Sequence, residues 1–285
     1  MKKTWTILSL SLALYGTHSF AGTAGAVFEE PTGWTGFYIG ANAGYLWSAN
    51  NLIRNFGIPA YANPDFYPFS RSMSESLAYL GSHEIDNTLD SFIGGGQIGY
   101  NAQILDKLVI GIDADLDAVA PTTSTTNFIS TATTPLMAGV THIANISLTK
   151  KLDYLGLVKG RLGYLLNPNV LVYGAGAFAY GGATLNTTYT VTNTRATFSP
   201  MSGYASTHDV LGGWAGGGGA EWLVTPSWSV KAEYIYYNLG PMHSYLTLTQ
   251  NLALNPPVAF AAASVKSKAE FTGNVLRVGV NYHFG

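Results

Sequence analysis

Hydrophobic and polar positions alternate with a period of two over segment after segment of this chain. In the last stretch Leu276, Val278, Val280, Tyr282 and Phe284 alternate with Arg277, Gly279, Asn281 and His283. A strand sends successive side chains to opposite faces, so the pattern predicts one apolar and one polar face. A first strand is predicted at about Gly36 to Ser48, with Phe37, Ile39, Tyr45 and Trp47 on one face and Tyr38, Asn42 and Gly44 on the other. Further strands are predicted at Ser91 to Gln103, Leu108 to Ala118, Leu152 to Tyr164, Val170 to Tyr180, Leu211 to Leu223, Trp228 to Tyr237, and from about Phe271 onward. Val170-Leu171-Val172 leaves the register of the fifth open.

The connections fall into two classes. Ile104 to Lys107, Leu165 to Asn169 and Val224 to Ser227 are short, and with the chain termini they mark one end; the connections near 49–90, 119–150, 181–210 and 238–270 are long. Strands of about ten residues with this asymmetry of turns describe a transmembrane barrel. The expected fold class is therefore all-β, an antiparallel up-and-down barrel of about eight strands with four long extracellular loops. Ten or more strands follow instead if part of 119–150 or 181–210 also crosses the membrane. Thr187 to Phe198 alternates as well, so strands are expected to run beyond the bilayer there.

Composition supports the membrane reading, because only 11% of residues are charged against 33 glycines and 18 tyrosines, whereas a soluble domain carries about 25% charge. At the amino terminus Lys2 and Lys3 precede an apolar run from Trp5 to Tyr15 and a small-residue stretch, the pattern of a cleavable signal peptide. The expected division is a signal peptide at 1–21, with cleavage as late as 26 also satisfying the small-residue rule, a short segment at 22–33 and a barrel domain at 34–285. Loss of Lys2 and Lys3 would leave 12 basic against 16 acidic side chains, which gives no basis for nucleic-acid binding. With no cysteine there is neither a disulfide nor a thiolate metal site.

GWTGFYIGANAGY (33–45), GGGQIGYNAQ (94–103), GIDADL (111–116), VKGRLGY (158–164), GGGGAEWLVTPSWSVKAEYIYYNLG (216–240) and VLRVGVNYHF (275–284) resemble the outer-membrane β-barrel domain family of opacity-type and porin-like surface antigens. The resemblance covers the predicted strands and none of the large loops. It implies an eight-stranded barrel in the outer membrane of a Gram-negative bacterium, with outer-membrane lipid, lipopolysaccharide, the barrel assembly machinery and host surface molecules as the partners to expect. It brings no shared catalytic residue and no cofactor. Gly285 after Phe284 departs from the pattern, since it displaces the aromatic from the final position that the assembly machinery is expected to read.

The inward faces of the predicted strands collect Asp113, Asp115, Asp117, Asp153, Glu221 and Glu233 with Lys159, Arg161, Lys231 and Arg277. Charges in a narrow interior persist only when paired, so a salt-bridge lattice is expected ahead of a proton or ion path. Gly94 to Gly99 matches the dinucleotide fingerprint formally, but the strand alternation continues through it and no helix follows. His208-Asp209 alone has the flavour of a catalytic pair, and the bland reading of it as a polar junction is preferred; His283 is expected to be solvated. Trp34, Trp47, Trp222, Trp228, Tyr164 and Tyr282 read as interfacial girdle residues. Among prolines at 58–70, Tyr61, Phe66, Tyr67 and Phe69 are candidate contact residues for a partner. The expected function is a non-enzymatic surface barrel presenting loops for adhesion, host contact or envelope integrity, with a small pore as the alternative and a rim enzyme third.

Overall fold

Alternation produces strands almost everywhere in the computed structural model, which describes residues 33–121 and 124–284. The described residues belong to one unit, Thr32–Gly285. The expected signal peptide lies outside them. Eleven strands form a single sheet: β1 (Gly36–Ser48), β2 (Leu52–Ala62), β3 (His83–Asp86), β4 (Asp90–Leu105), β5 (Leu108–Val119), β6 (Ser124–Thr133), β7 (Thr141–Asn167), β8 (Val170–Asn193), β9 (Met201–Thr225), β10 (Trp228–Leu252) and β11 (Val258–Phe284). Eight of them close on themselves in the order β1-β4-β5-β7-β8-β9-β10-β11, because β1 pairs antiparallel with both β4 and β11. Closure satisfies every backbone group within the ring and removes the sheet edges, the condition for a sheet in lipid.

At the end with the short turns, hereafter the lower end, the outer face is apolar. Phe37, Ile39, Phe92, Ile98, Ile112, Leu116, Val158, Leu162, Phe178, Leu276, Val278 and Val280 all point outward and are exposed. Aromatic residues rim this belt, with Tyr164, Trp222, Trp228 and Tyr282 below, and above them Trp47 against Tyr234 and Trp214 against Tyr236 with ring centroids 6.3 and 5.5 Å apart. The fifth predicted strand resolves with Leu171 and Tyr173 inward and Val172 outward.

The long connections are where the structure departs most from the sequence reading, although the strand expected past the bilayer from Thr187 is present as the end of β8, to Asn193. Residues 119–150, 181–210 and 238–270 are largely strand, because β7 to β11 run 24 to 27 residues each, more than twice what a bilayer requires. None of the additional strands joins the ring. β6 pairs with the upper half of β7, β2 with the upper half of β11, and β3 with β2. Pairing between β9 and β10 stops at Trp214 and Asn238. Above that level the ring opens into two four-stranded sheets, β6-β7-β8-β9 and β10-β11-β2-β3. The segment 58–70, read as a loop, holds the end of β2, a 3-10 turn at Pro64–Phe66 and the start of helix α1 (Phe69–Leu80).

An apolar core fills the space between the two sheets. Ala144, Ile146, Leu148, Leu185, Tyr189 and Val191 face Leu246, Leu248, Ala263 and Val265, and α1 adds Met73, Leu77 and Leu80. One seam between the sheets is bridged by Asn87, whose Nδ2 donates to Ser124 O (3.1 Å) and Leu148 O (3.3 Å), and by Thr126 Oγ1 donating to Asp86 O (3.0 Å). The other seam carries a β-bridge between Phe198 and Leu252.

Two irregularities reset the alternation. In β7 the inward residues are Ala144, Ile146, Leu148, Lys150 and Leu152 above and Leu155, Leu157, Lys159 and Arg161 below, a change of phase at the register shift between Leu152 and Tyr154. In β10 the phase changes between Leu239 and Met242, where Gly240 has φ +83° and the register slips between Asn238 and Pro241. Each is a bulge, one extra residue that re-aims the strand.

Candidate functional site

Two parts of the molecule concentrate chemistry, the lower interior and the upper outer surface. In the interior, β5 contributes Asp113, Asp115 and Asp117, β7 Lys159 and Arg161, β9 Glu221, β10 Lys231 and Glu233, and β11 Arg277, all buried. Lys159 Nζ lies 3.1 Å from Asp113 and 3.0 Å from Asp115 on the neighbouring strand, and 3.1 Å from Glu233 three strands round the ring. Arg277 reaches Asp115 (2.6 Å), Asp117 and Glu233 (2.7 Å). Lys231 donates to Gln97 Oε1 on β4 at 2.5 Å and lies 3.4 Å from Glu233. Arg161 holds Glu221 at 3.1 Å and Asn101 Oδ1 at 2.7 Å, with its guanidinium 4.7 Å from the centre of the Tyr38 ring. Several of these bonds cross the lumen from wall to wall, so at this level the barrel is filled with paired charge.

Five of these side chains are acids and four are bases. Glu221 balances the difference with neutral donors, accepting from Ser229 Oγ at 2.5 Å and Asn281 Nδ2 at 2.6 Å besides Arg161. Gly99 and Gly111 make room for the large members, since a Cβ at Gly99 would lie 2.4 Å from the Tyr38 ring and one at Gly111 2.9 Å from Arg161 Nε.

Three expectations need correction. Asp153 is not part of this network: it is the extra residue of the β7 bulge, which turns its side chain outward to pair with Lys151, about a third exposed. His283 is not solvated, because its Nε2 lies 2.9 Å from Ser229 Oγ and 3.3 Å from Glu221 and its ring packs on Tyr38 and Trp34. Trp34 is no girdle residue. It is buried under the lower end among Val109, Leu165, Leu171 and Tyr173, with its indole N–H donating to Pro168 O at 3.0 Å.

On the upper surface Tyr61, Phe66, Tyr67 and Phe69 are all exposed, Tyr67 most at 66%. Phe66 also packs on Phe260, ring centroids 5.6 Å apart, and the Tyr61 carbonyl accepts from Ser74 Oγ, which ties β2 to α1. Sequence reasoning missed Tyr79, 62% exposed on α1, together with His83 and Phe128 beside it. The apolar spacing Met73, Leu77, Leu80 was the available signal for that helix.

Buried in the upper core, His142 Nδ1 donates to Asn193 Oδ1, whose Nδ2 donates to Gln250 Oε1 at 3.1 Å, and Nε2 is 3.1 Å from Thr134 Oγ1. Burial holds this imidazole below its ordinary pKa, partly offset by the Asn193 hydrogen bond. His208 contacts Thr184 Oγ1 (2.9 Å), and Asp209 accepts from the Val210 N–H (2.8 Å) rather than orienting the imidazole. Among the described residues no group of three or more His, Asp or Glu side chains is placed to hold a metal ion.

The sequence over residues 8–284 matches the model of the outer membrane protein beta-barrel domain, in accord with the closed ring and its outward apolar belt. The chain belongs to that family. This family barrel is located in the outer membrane, with its short turns on the periplasmic side and the two-sheet extension outside. It is 28% identical to the 31 kDa outer-membrane immunogenic proteins of Brucella melitensis and Brucella suis over 98% of each chain. Solved structures similar to it at 11% identity include OprG from Pseudomonas aeruginosa (TM-score 0.39, covering 89% of this chain and 99% of that one) and Ail of Yersinia pestis (TM-score 0.33, 87% and 99%).

Proposed function

We propose that this outer-membrane barrel is a non-enzymatic presenting scaffold whose extracellular extension makes contact with host surface molecules. The observation that carries the reading is the extension itself: five ring strands continue past the bilayer, recruit β2, β3, β6 and α1, and enclose an apolar core that continues down into the upper part of the ring at Leu46, Leu155 and Ile235. Such a rigid platform holds exposed aromatics in place, and rigid aromatics are the residues that anchor interfaces at low entropic cost. The pore reading is disfavoured by the wall-to-wall ion pairs of the lumen. Lys266, with Lys151 and Lys268 beside their partners Asp153 and Glu270, faces outward above the aromatic rim and would be the cation for a lipopolysaccharide phosphate. Insertion would rely on the barrel assembly machinery, and the function needs no cofactor.

Residues 58–62 pair with β11 and Phe69 opens α1, so excising 58–70 would break the platform. Point substitutions test the proposal instead. Cells displaying the triple variant Tyr61→Ser, Tyr67→Ser, Phe69→Ser at matched density should keep heat-modifiable gel migration and lose about tenfold or more in adhesion to host cells or matrix, since an aromatic anchor contributes about 2 kcal/mol. Unchanged adhesion would remove these residues from the contact surface, and stable conductance steps in planar bilayers would replace the scaffold reading with the pore.

A further inference from the structure

The helix α1 lies across the upper seam, and between it and β6 is a groove of about 430 Å³, within the range of small-ligand sites, about 300–1,000 Å³. Its chemistry is uneven. From the helix, Ser72, Glu75, Ser76 and Tyr79 line it on successive turns; opposite them stand Thr131 and Thr133. The two serines are already engaged, Ser76 Oγ donating its one proton to Ser72 O (3.0 Å), with Thr133 O farther off at 3.4 Å, and Ser72 Oγ accepting from the Leu136 N–H (3.4 Å). That leaves the exposed ring of Tyr79, the hydroxyls of Thr131 and Thr133, and Glu75 Oε2, since Oε1 accepts from Arg71 at 2.8 Å.

We propose that this groove binds a neutral pyranose of a surface glycan. No lysine or arginine is among the lining residues, and the one guanidinium at the edge, Arg71, is already neutralised by Glu75 at 2.8 Å, so a phosphate or sulfate meets a carboxylate and no free counter-charge. A wholly apolar ligand would strip water from a carboxylate and two hydroxyls without replacing their hydrogen bonds, which is costly. A pyranose with equatorial hydroxyls suits both needs, because its C–H face lies on an aromatic ring while its rim donates to a carboxylate and exchanges hydrogen bonds with hydroxyls. Glu75 and Tyr79 are four residues apart on the helix and therefore neighbours on one face, which sets the hydrogen-bonding rim beside the stacking surface. His83 and Phe128 continue the aromatic surface from Tyr79, at centroid distances of 6.2 Å (Tyr79 to His83) and 5.0 Å (His83 to Phe128), so the surface has room for a second ring.

The inference deepens the presenting-scaffold reading by naming a ligand class for one part of its surface. The test uses the full barrel in detergent micelles with chitotriose as probe and dextran sulfate as the anionic control, read by saturation-transfer NMR. Saturable chitotriose binding is expected, weakened about tenfold or more by Tyr79→Ala and clearly by Glu75→Gln, and unchanged by Tyr204→Ala, an exposed tyrosine on β9. Both Tyr79 and Glu75 are exposed, so heat-modifiable migration should be normal for every variant. Absence of chitotriose binding, binding that survives Tyr79→Ala, or preference for dextran sulfate each overturns the proposal. Adhesion lost through the Tyr61, Tyr67 and Phe69 substitutions with no chitotriose binding would separate the two failures, keeping the scaffold and discarding the glycan groove.

Discussion

The lower and upper halves of this molecule are built by the same strands and solve opposite problems. Within the bilayer β7 turns Val158 and Leu162 to lipid and Lys159 and Arg161 inward; above it, the same strand buries Ile146 and Leu148 and shows Asn145 and Ser147 to water. Outside-in below and inside-out above, the chain changes solvent halfway along one strand. The difference teaches that each half is held by a distinct device. The lower half depends on satisfied charges, which are costly to unpair, and the upper on packed apolar side chains, whose loss leaves cavities.

The sharpest way to break the comparison is to damage each half separately. Arg277→Ala leaves Asp115, Asp117 and Glu233 short of a partner at once and should cost on the order of 3–5 kcal/mol, lowering the temperature at which the folded form converts to the slow-migrating band on gels. Leu148→Ala, at a site with no solvent exposure, should cost about 2–5 kcal/mol but confine the damage to the extension: protease cleavage above the membrane rises while the heat-shift temperature barely moves. Equal effects of the two variants on both readouts would show that the halves fold as one cooperative unit.

A subtler separation comes from pH. His142 is held below its ordinary value of 6.5 by burial, so the unfolded chain takes up a proton that the folded extension resists. The stability this provides is present above pH 6.5 and is lost as the pH falls through 6.5 toward the lower folded value. Limited proteolysis of the extension should therefore accelerate between pH 7.5 and 5.5, and His142→Gln should weaken the dependence, the remainder falling to His83 and His243, which burial also holds below the ordinary value. A pH-independent cleavage rate in the parental protein would sink this assignment. The smallest effect is expected from Asp153→Asn, within about 0.5 kcal/mol of the parent because the side chain sits outside on the bulge, in contrast to its former companions in the inward set.

How much of this was legible in the sequence depended on which solvent a strand faced. Strands bearing Phe37, Ile98, Ile112 or Val278 outward declare themselves, since alternation against lipid contrasts aromatics and aliphatics with glycine and charge. The extension does so only at Thr187 to Phe198. Many of its outward residues are Thr, Ser and Asn, interrupted by apolar ones such as Ile129 and Tyr204, and its inward ones include alanines, as at Ala261 and Ala263, so the contrast is weak and resembles a loop composition. The phase changes at Asp153 and Gly240 divide two continuous strands into apparently unrelated pieces, and the same bulge carried Asp153 into the wrong set. Ser-rich α1 was hidden for a similar reason. The burial of His283 had a signal in the parity it shares with Arg277 and Asn281, which the expectation of a solvated side chain overlooked, whereas nothing in the pattern around Trp34 distinguishes a rim residue from one folded under the barrel.

The position of Trp34 gives the molecule an internal indicator of its own completion. Among the described residues the other tryptophans, Trp47, Trp214, Trp222 and Trp228, are partly or well exposed, so only this indole passes from water to a sealed interior, with its N–H on Pro168 O and His283 of the last strand at its edge. Pro168 lies in the turn between β7 and β8, and His283 reaches its place only when β11 closes on β1. In a chain whose remaining described tryptophans are changed to phenylalanine, the emission of Trp34 would shift when the first and last strands meet, turning barrel closure into an event that can be timed optically.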